Sequence, residues 1–234
     1  MKKEFKKVGI IAAMDTEIDA LKAAVEDPCV TTIGGVDFVC GKIVNKEVIA
    51  AKCGVGKVFA AICTQTMILK FNPDCIINTG VAGGLSEDLD ILDCIIAENV
   101  VQHDMDTSPI GDPVGLISGI NIVDIPTDKH VSDALLKAAT ACSVKARYGK
   151  VATGDQFVAY DSQREKIIEN FSADCCEMEG GSIGQVCYVN RVPFGIIRTI
   201  SDNYKSDASM AFPVFADKAA KFASQAVMEF LKLI

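Results

Sequence analysis

Acidic side chains gather where the apolar runs of this 234-residue chain end. Asp15 and Glu17 follow VGIIAAM, Glu177 and Glu179 sit within CEMEGG, and Asp202 closes PFGIIRTISD. His103, Asp104 and Asp106 follow DCIIAENVVQ, Phe157 and Val158 follow ATGDQ, and glycines end PDCIINTGVAGG. Basic residues are scarce at these positions, apart from Arg198 inside the last apolar run and Lys57 after GVG. Carboxylates grouped without a metal-ligand set fit hydrolysis of a glycosidic bond, which needs an acid at the leaving group and a carboxylate near the sugar.

Each acid also has a plainer reading. Asp15, Glu17 and Asp19 crowd one turn, and acids favour a helix start because its free N–H groups carry partial positive charge. Asp202 can serve as a turn or cap residue. In an extended chain Glu177 and Glu179 point to one face, so spacing does not choose between them.

The elements that must position these groups are legible from periodicity. VGIIAAM reads as a buried strand, followed by a helix over DTEIDALKAAVED with Ile18, Leu21, Ala24 and Val25 on one face. GVDFVCGKI and EVIAAKC flank VNK as a hairpin. A helix over GVGKVFAAICTQTMILKFN places Val58, Ile62, Thr66 and Leu69 on one face. Strands at PDCIINTGVAGG, DCIIAENVVQHD, KARYGKVATGD and PFGIIRTISD alternate with helices near 129–142 and 161–170 and after CEMEGG. A last helix carries Phe215, Ala219, Phe222, Ala226 and Phe230 as a core stripe. This alternation predicts one α/β domain over residues 1–234 around a mixed sheet. Ligands in such sheets bind beyond the carboxyl ends of the strands, where the acids lie.

Composition narrows the function. Half the residues are hydrophobic and the formal net charge is -8, which argues against nucleic acid or anionic membranes as partners. No run approaches a membrane span, and the short apolar run after MKKEFKK is not a signal peptide. These features predict a cytoplasmic protein. The ten cysteines include Cys53, Cys63, Cys75, Cys94 and Cys187 singly inside apolar runs, where they read as reduced core thiols. No zinc-ligand spacing is present.

The motifs GIIAAMDTEIDAL, GVGKVFAA, NTGVAGGL, ATGDQFV, CEMEGGSIGQVC and RTISD, in this order, resemble the 5′-methylthioadenosine/S-adenosylhomocysteine nucleosidases of the purine nucleoside phosphorylase superfamily. The resemblance covers nearly the whole chain except the 105–125 loop. It implies a homodimeric three-layer α/β sandwich, with a central mixed β-sheet flanked by helices, that hydrolyses the adenine–ribose bond of 5′-thioadenosines without a cofactor. By position, Glu17 resembles the acid that activates water. Glu179 resembles the carboxylate that holds the ribose hydroxyls, with Met178 against the sugar and Glu177 beside it as scaffold. Asp202 resembles the acid at adenine N7. Phe157 and Val158 match the base-facing pair, and Phe212 matches a phenylalanine packed at base and sugar. Arg198 and Ser201 frame the nucleophile region, and Val81, Ala82 and Gly83 line the pocket. Position 81 departs from the family pattern, because the best-known members carry a serine there that helps hold the water. Two other functions compete: a phosphorylase of the same fold, and a purine-nucleoside-binding protein without catalysis. The 105–120 loop, with Ile110, Val114, Leu116 and Ile117, is expected to pack at a two-fold interface.

Overall fold

The computed structural model describes residues 5–203 and 208–234, without the side chains of Ser209 and Met210. At its centre β1 (Lys7–Ala12) runs parallel to both β4 (Lys46–Lys52) and β5 (Cys75–Gly84). β10 (Phe194–Asp202) continues the parallel set beside β5. These strands are buried on both faces, so they read as unbroken apolar runs rather than as alternating ones. β6 (Cys94–Gln102) lies antiparallel to β10 and parallel to β8 (Ala146–Thr153). The short β9 (Cys175–Glu177) pairs with both β8 and β5. The pairings β5–β10–β6–β8–β9–β5 close a ring, with two-residue β7 (Ile125–Pro126) outside it on β6.

Two layers of helix cover the sheet. On one side α1 (Asp15–Ala23), α3 (Lys129–Ala141) and α6 (Ala208–Leu233) pack Leu21, Leu135 and Phe230 against Ile10, Ile77 and Ile197. On the other, α2 (Lys57–Phe71) and α5 (Gly180–Asn190) pack Met67 and Ile183 against Ile11, Ile76 and Ile196. Neighbouring isoleucines on one strand thus feed opposite layers, the period-two consequence of strand geometry. α4 (Asp161–Phe171) closes a smaller cluster with Ile167 and Phe171 against Leu85, Val101 and Ala152. The mixed sheet flanked by helices agrees with the sandwich expected from the sequence.

One local expectation changes, and three others gain detail. The first helix ends at Ala23 instead of running to Asp27, because the chain enters β2 (Glu26–Ile33), an edge strand paired with β3 (Val36–Ile43). The β3–β4 hairpin is as read, with Val44 and Asn45 both at positive φ in its turn, as a two-residue hairpin turn requires. The stripe on α2 faces outward: Val58 is 68% and Leu69 74% exposed, while Ala60, Cys63 and Met67 face the core. In the 105–120 loop Ile117 is buried and bridged to Ile122, and Val114 packs on the α4 cluster. Only Ile110 stands out strongly, at 82% exposure. Among the described residues no helix is long and apolar enough to cross a membrane.

Candidate active site

A cleft of about 290 Å³ opens at the carboxyl ends of β1, β5, β9 and β10 and is lined by every site residue selected from the sequence. A larger open groove of about 540 Å³ lies against β2 and β3. It holds no buried carboxylate–arginine cluster, so the smaller cleft is where the chemistry concentrates.

Glu17 occupies the third position of α1 and is 2% exposed. Its Oε2 accepts the N–H groups of Ala13 and Met14, each at 3.0 Å. Oε1 accepts the Val81 N–H, also at 3.0 Å. A carboxylate oxygen has two lone-pair directions, and among the described residues Oε1 meets a donor in one of them. Burial pushes the Glu17 carboxyl up, against the lowering pull of Arg198 and the three N–H donors, which makes it a better proton acceptor once ionised. Helix start and cleft-facing acid are therefore one residue in two roles. Gly80 makes the arrangement possible, since a Cβ there would lie 2.5 Å from both Glu17 Oε1 and Arg198 Nη1.

Arg198, 1% exposed, stands between the acids. It pairs with Glu177, and its Nη2 lies 3.6 Å from Glu179 Oε2. Asn78 accepts from the same Nη2, and Val81 O accepts from Nη1 at 3.3 Å. Glu177 also accepts the N–H groups of Glu179 and Gly180 and the Thr153 hydroxyl. Both its oxygens are thus engaged by protein groups at the start of α5. Glu179 is held differently: Oε1 accepts the Gly56 N–H at 2.9 Å. Its carboxyl is pushed up to about 7, first by burial and then by the charge of Glu177. Three carboxyl groups around one guanidinium leave an excess of negative charge, which grows as Glu179 ionises through about 7, suited to a sugar that develops positive charge.

Asp202 lies at the other end of the cleft, where the β10–β5 register shifts between Ile200 and Asp202. Ser201 Oγ donates to Asp202 Oδ1 at 2.8 Å and is 3.3 Å from Ala82 O. Oδ2 lies over Gly83, where a Cβ would come within 3.0 Å. Burial raises the Asp202 carboxyl above the usual range, with Ser201 and Arg164 opposing. Phe157 and Phe212 meet edge to face at 5.5 Å between ring centres, and Phe157 is 48% exposed. They form an aromatic mouth beside Val158 and Met178.

The sequence reading missed Ala13, Met14, Val55, Gln156 and Cys176 in the lining, because four of them are apolar or weakly polar and Gln156 is an uncharged amide, so none carries a local chemical signal. It also missed the supports Asn78 and Thr153, although both sit at the ends of recognised motifs. His103 and Asp104, at the end of the DCIIAENVVQ run, do not line the cleft. Asp104 accepts from Lys57 Nζ at 2.6 Å and from the Asp155 N–H at 2.9 Å, and Asp155 accepts the Lys57 N–H. This triangle ties the start of α2 to the loop that carries Phe157. Among the described residues no group of three or more His, Cys, Asp or Glu side chains is placed to hold a metal ion.

Fold and cleft define an α/β protein that presents buried carboxylates to a small ligand, and residues 7–232 match the model of the phosphorylase superfamily. A 5′-methylthioadenosine/S-adenosylhomocysteine nucleosidase from Shewanella pealeana is 40% identical over 227 residues, 97% of this chain and 99% of that protein. The chain belongs to this nucleosidase family within the superfamily. The structure of the Neisseria meningitidis nucleosidase in complex with methylthio-immucillin-A is similar, with a TM-score of 0.93 and 31% identity, covering 98% of this chain and all of that one. A futalosine hydrolase mutant from Helicobacter pylori also has a TM-score of 0.93, at 33% identity, covering 98% of this chain and 100% of that one.

Proposed function

We propose that this protein hydrolyses the N-glycosidic bond of 5′-methylthioadenosine and S-adenosylhomocysteine, releasing adenine and the 5′-substituted ribose, as a single nucleosidase domain without a cofactor. The observation that carries this reading is the placement of Glu17 Oε1 next to Arg198, opposite Asp202 across one cleft. Water held by Glu17 attacks the anomeric carbon as its proton passes to the carboxylate. Glu179 holds the ribose hydroxyls and offsets the developing cation, and Glu177 fixes Arg198. Asp202, raised by burial, delivers or shares a proton at N7, so adenine does not leave as an anion. Phe157, Val158 and Phe212 pack the base, with Val81, Ala82 and Gly83 beneath it and Met178 against the sugar.

A phosphorylase would bring a phosphate dianion to the same place. Glu17 fills that place, and Arg198 is already engaged by Glu177 and Asn78. Each close like-charge pair would oppose the dianion by about 1–4 kcal/mol. The similarity to a futalosine hydrolase favours hydrolysis of futalosine as the second reading, through the same three acids. Incubating the protein with 5′-methylthioadenosine and with S-adenosylhomocysteine, and following adenine by chromatography, tests the proposal. No adenine from either would defeat it.

The protein acts as a homodimer in this reading. Val58, Phe59, Ile62 and Leu69 of α2 and Tyr188 and Val189 of α5 leave one apolar face exposed, and a second copy of the chain is its occupant. Ile110 then reaches the neighbour's 5′ end. Sedimentation of a pure monomer with full activity would end this part. A cytoplasmic place, where thiols stay reduced, suits its ten free cysteines, and salvage of methylthio groups for methionine suits its substrates.

A further inference from the structure

Two cysteines outside the cleft face each other at the edge of the sheet. Cys29 on β2 and Cys40 on β3 are direct register partners, so their side chains leave the same face side by side. Antiparallel partners have Cα atoms about 4.5–5.5 Å apart, within the roughly 4.4–6.8 Å that a disulfide spans. Their Cβ atoms, about 4.5–5.5 Å apart in such pairs, need to close by up to about 1 Å to reach the disulfide range. β2 is built to give that much. It is the outermost strand, its first five residues are exposed, and its pairing shifts register between Glu26 and Cys29. Pro28, directly before Cys29, brings no N–H to that pairing.

The pair is also reachable. Both thiols line the open groove of about 540 Å³, whose lining carries Lys7, Lys42 and Lys70 together with Glu26, Asp27 and Glu47. Cys29 is exposed and Cys40 partly so. Of the other cysteines only Cys142 is not buried, and burial pushes the thiols of Cys63 and Cys176 up to about 12, where thiolate is scarce. Burial, then the neighbouring Cys29, also raises the Cys40 thiol, so the exposed Cys29 is the attacking member.

We propose that Cys29 and Cys40 form a reversible dithiol–disulfide couple, oxidised by hydroperoxides and restored by small thiols. The exposed Cys29 thiolate attacks the peroxide oxygen, the O–O bond breaks, and a sulfenic acid forms as the alcohol or water leaves. The Cys40 thiol then attacks the sulfenic sulfur, the S–S bond forms and a second water departs. Two electrons pass from the thiols to the peroxide, and two small thiols return them while becoming a disulfide themselves. The couple joins the second and third strands out from β1, beyond β4, and does not depend on the hydrolytic reading of the cleft.

The test uses the whole purified protein, treated with a slight excess of hydrogen peroxide, alkylated with iodoacetamide and digested without reductant. The expected result is an intact mass lower by about 2 Da, the two thiol hydrogens, and a linked pair of peptides carrying Cys29 and Cys40. Dithiothreitol should abolish the link. In Cys40→Ser, peroxide should leave Cys29 as a sulfenic acid captured by dimedone, with no mass loss. Wild-type protein in which both cysteines are separately alkylated or over-oxidised would overturn the proposal, as would a link between other cysteines such as Cys94 and Cys142. The decisive arm uses unmutated protein, so its outcome does not depend on whether a variant folds.

Discussion

Glutamine in place of Glu179 keeps the side-chain shape and an acceptor for the Gly56 N–H, and it removes the charge. Burial, then Glu177, holds the native Glu179 carboxyl at about 7 against an ordinary value of 4.5. Between those two values the folded chain keeps a proton that the unfolded chain releases. Wild-type stability therefore falls as pH rises from 4.5 through about 7, and the full cost remains above that. At about 1.4 kcal/mol per pH unit, the window corresponds to about 3 kcal/mol. Glu179→Gln does not titrate, so it should gain about that much on wild type between acid and mildly alkaline buffer, roughly 6–12 °C in Tm for a domain of this size. Thermal unfolding of both proteins from about pH 5 to about pH 8 measures the gap, which should widen with pH. The same variant should lose roughly 10²-fold or more in adenine release, because a neutral amide does not offset the sugar cation. A Tm gap that stays constant across the range would refute the placement of the proton, and full activity would refute the role.

The other acids give sharper kinetic outcomes. Asp202→Asn should lower turnover by about 10²–10⁴-fold while substrate affinity largely survives, since an amide hydrogen-bonds without supplying a proton; retention of more than about a tenth of turnover would remove Asp202 from the acid role. In Glu17→Gln the amide oxygen must face the Ala13 and Met14 N–H groups, so the NH₂ turns towards Val81 N–H and the water. Single-turnover cleavage should stop with binding intact, and a normal rate would reduce Glu17 to a helix cap. Val81→Ser should raise turnover by no more than about tenfold, the worth of one added hydrogen bond to the water. It should also cost about 1–2 kcal/mol of stability, because the valine packs against Ala219 and Ala220. Activity confined to the serine form would show that the native chain is not a working hydrolase.

The long buried strands, the main helices and the acids at strand ends were legible, because buried parallel strands and amphipathic helices write periodicity directly into sequence, whereas the short β7 and β9 were not read. Nor was β2, since EDPCVTTI is a largely exposed edge strand with a proline, and its first residues, with Val25, continue the helical pattern before them. The outward stripe on α2 shows a second limit. Helical periodicity finds an apolar face and is silent on whether that face meets the core or another surface. Spacing alone left Glu177 and Glu179 alike and the resemblance picked out Glu179; their surroundings differ only through tertiary partners, the Thr153 hydroxyl for Glu177 and the Gly56 N–H for Glu179. At position 81 the identity of the side chain drew attention. The contacts that matter most there come from the backbone, whose N–H meets Glu17 and whose C=O meets Arg198. A valine preserves both.

Cleavage of 5′-methylthioadenosine in phosphate-free water enriched in heavy oxygen, with the products weighed by mass spectrometry, tests the central claim most directly. Water held at Glu17 and Arg198 should place the label on the anomeric carbon of methylthioribose, leave adenine unlabelled, and proceed at a rate that added phosphate does not increase. Adenine that appears only when phosphate is supplied, together with a ribose 1-phosphate, would contradict the account.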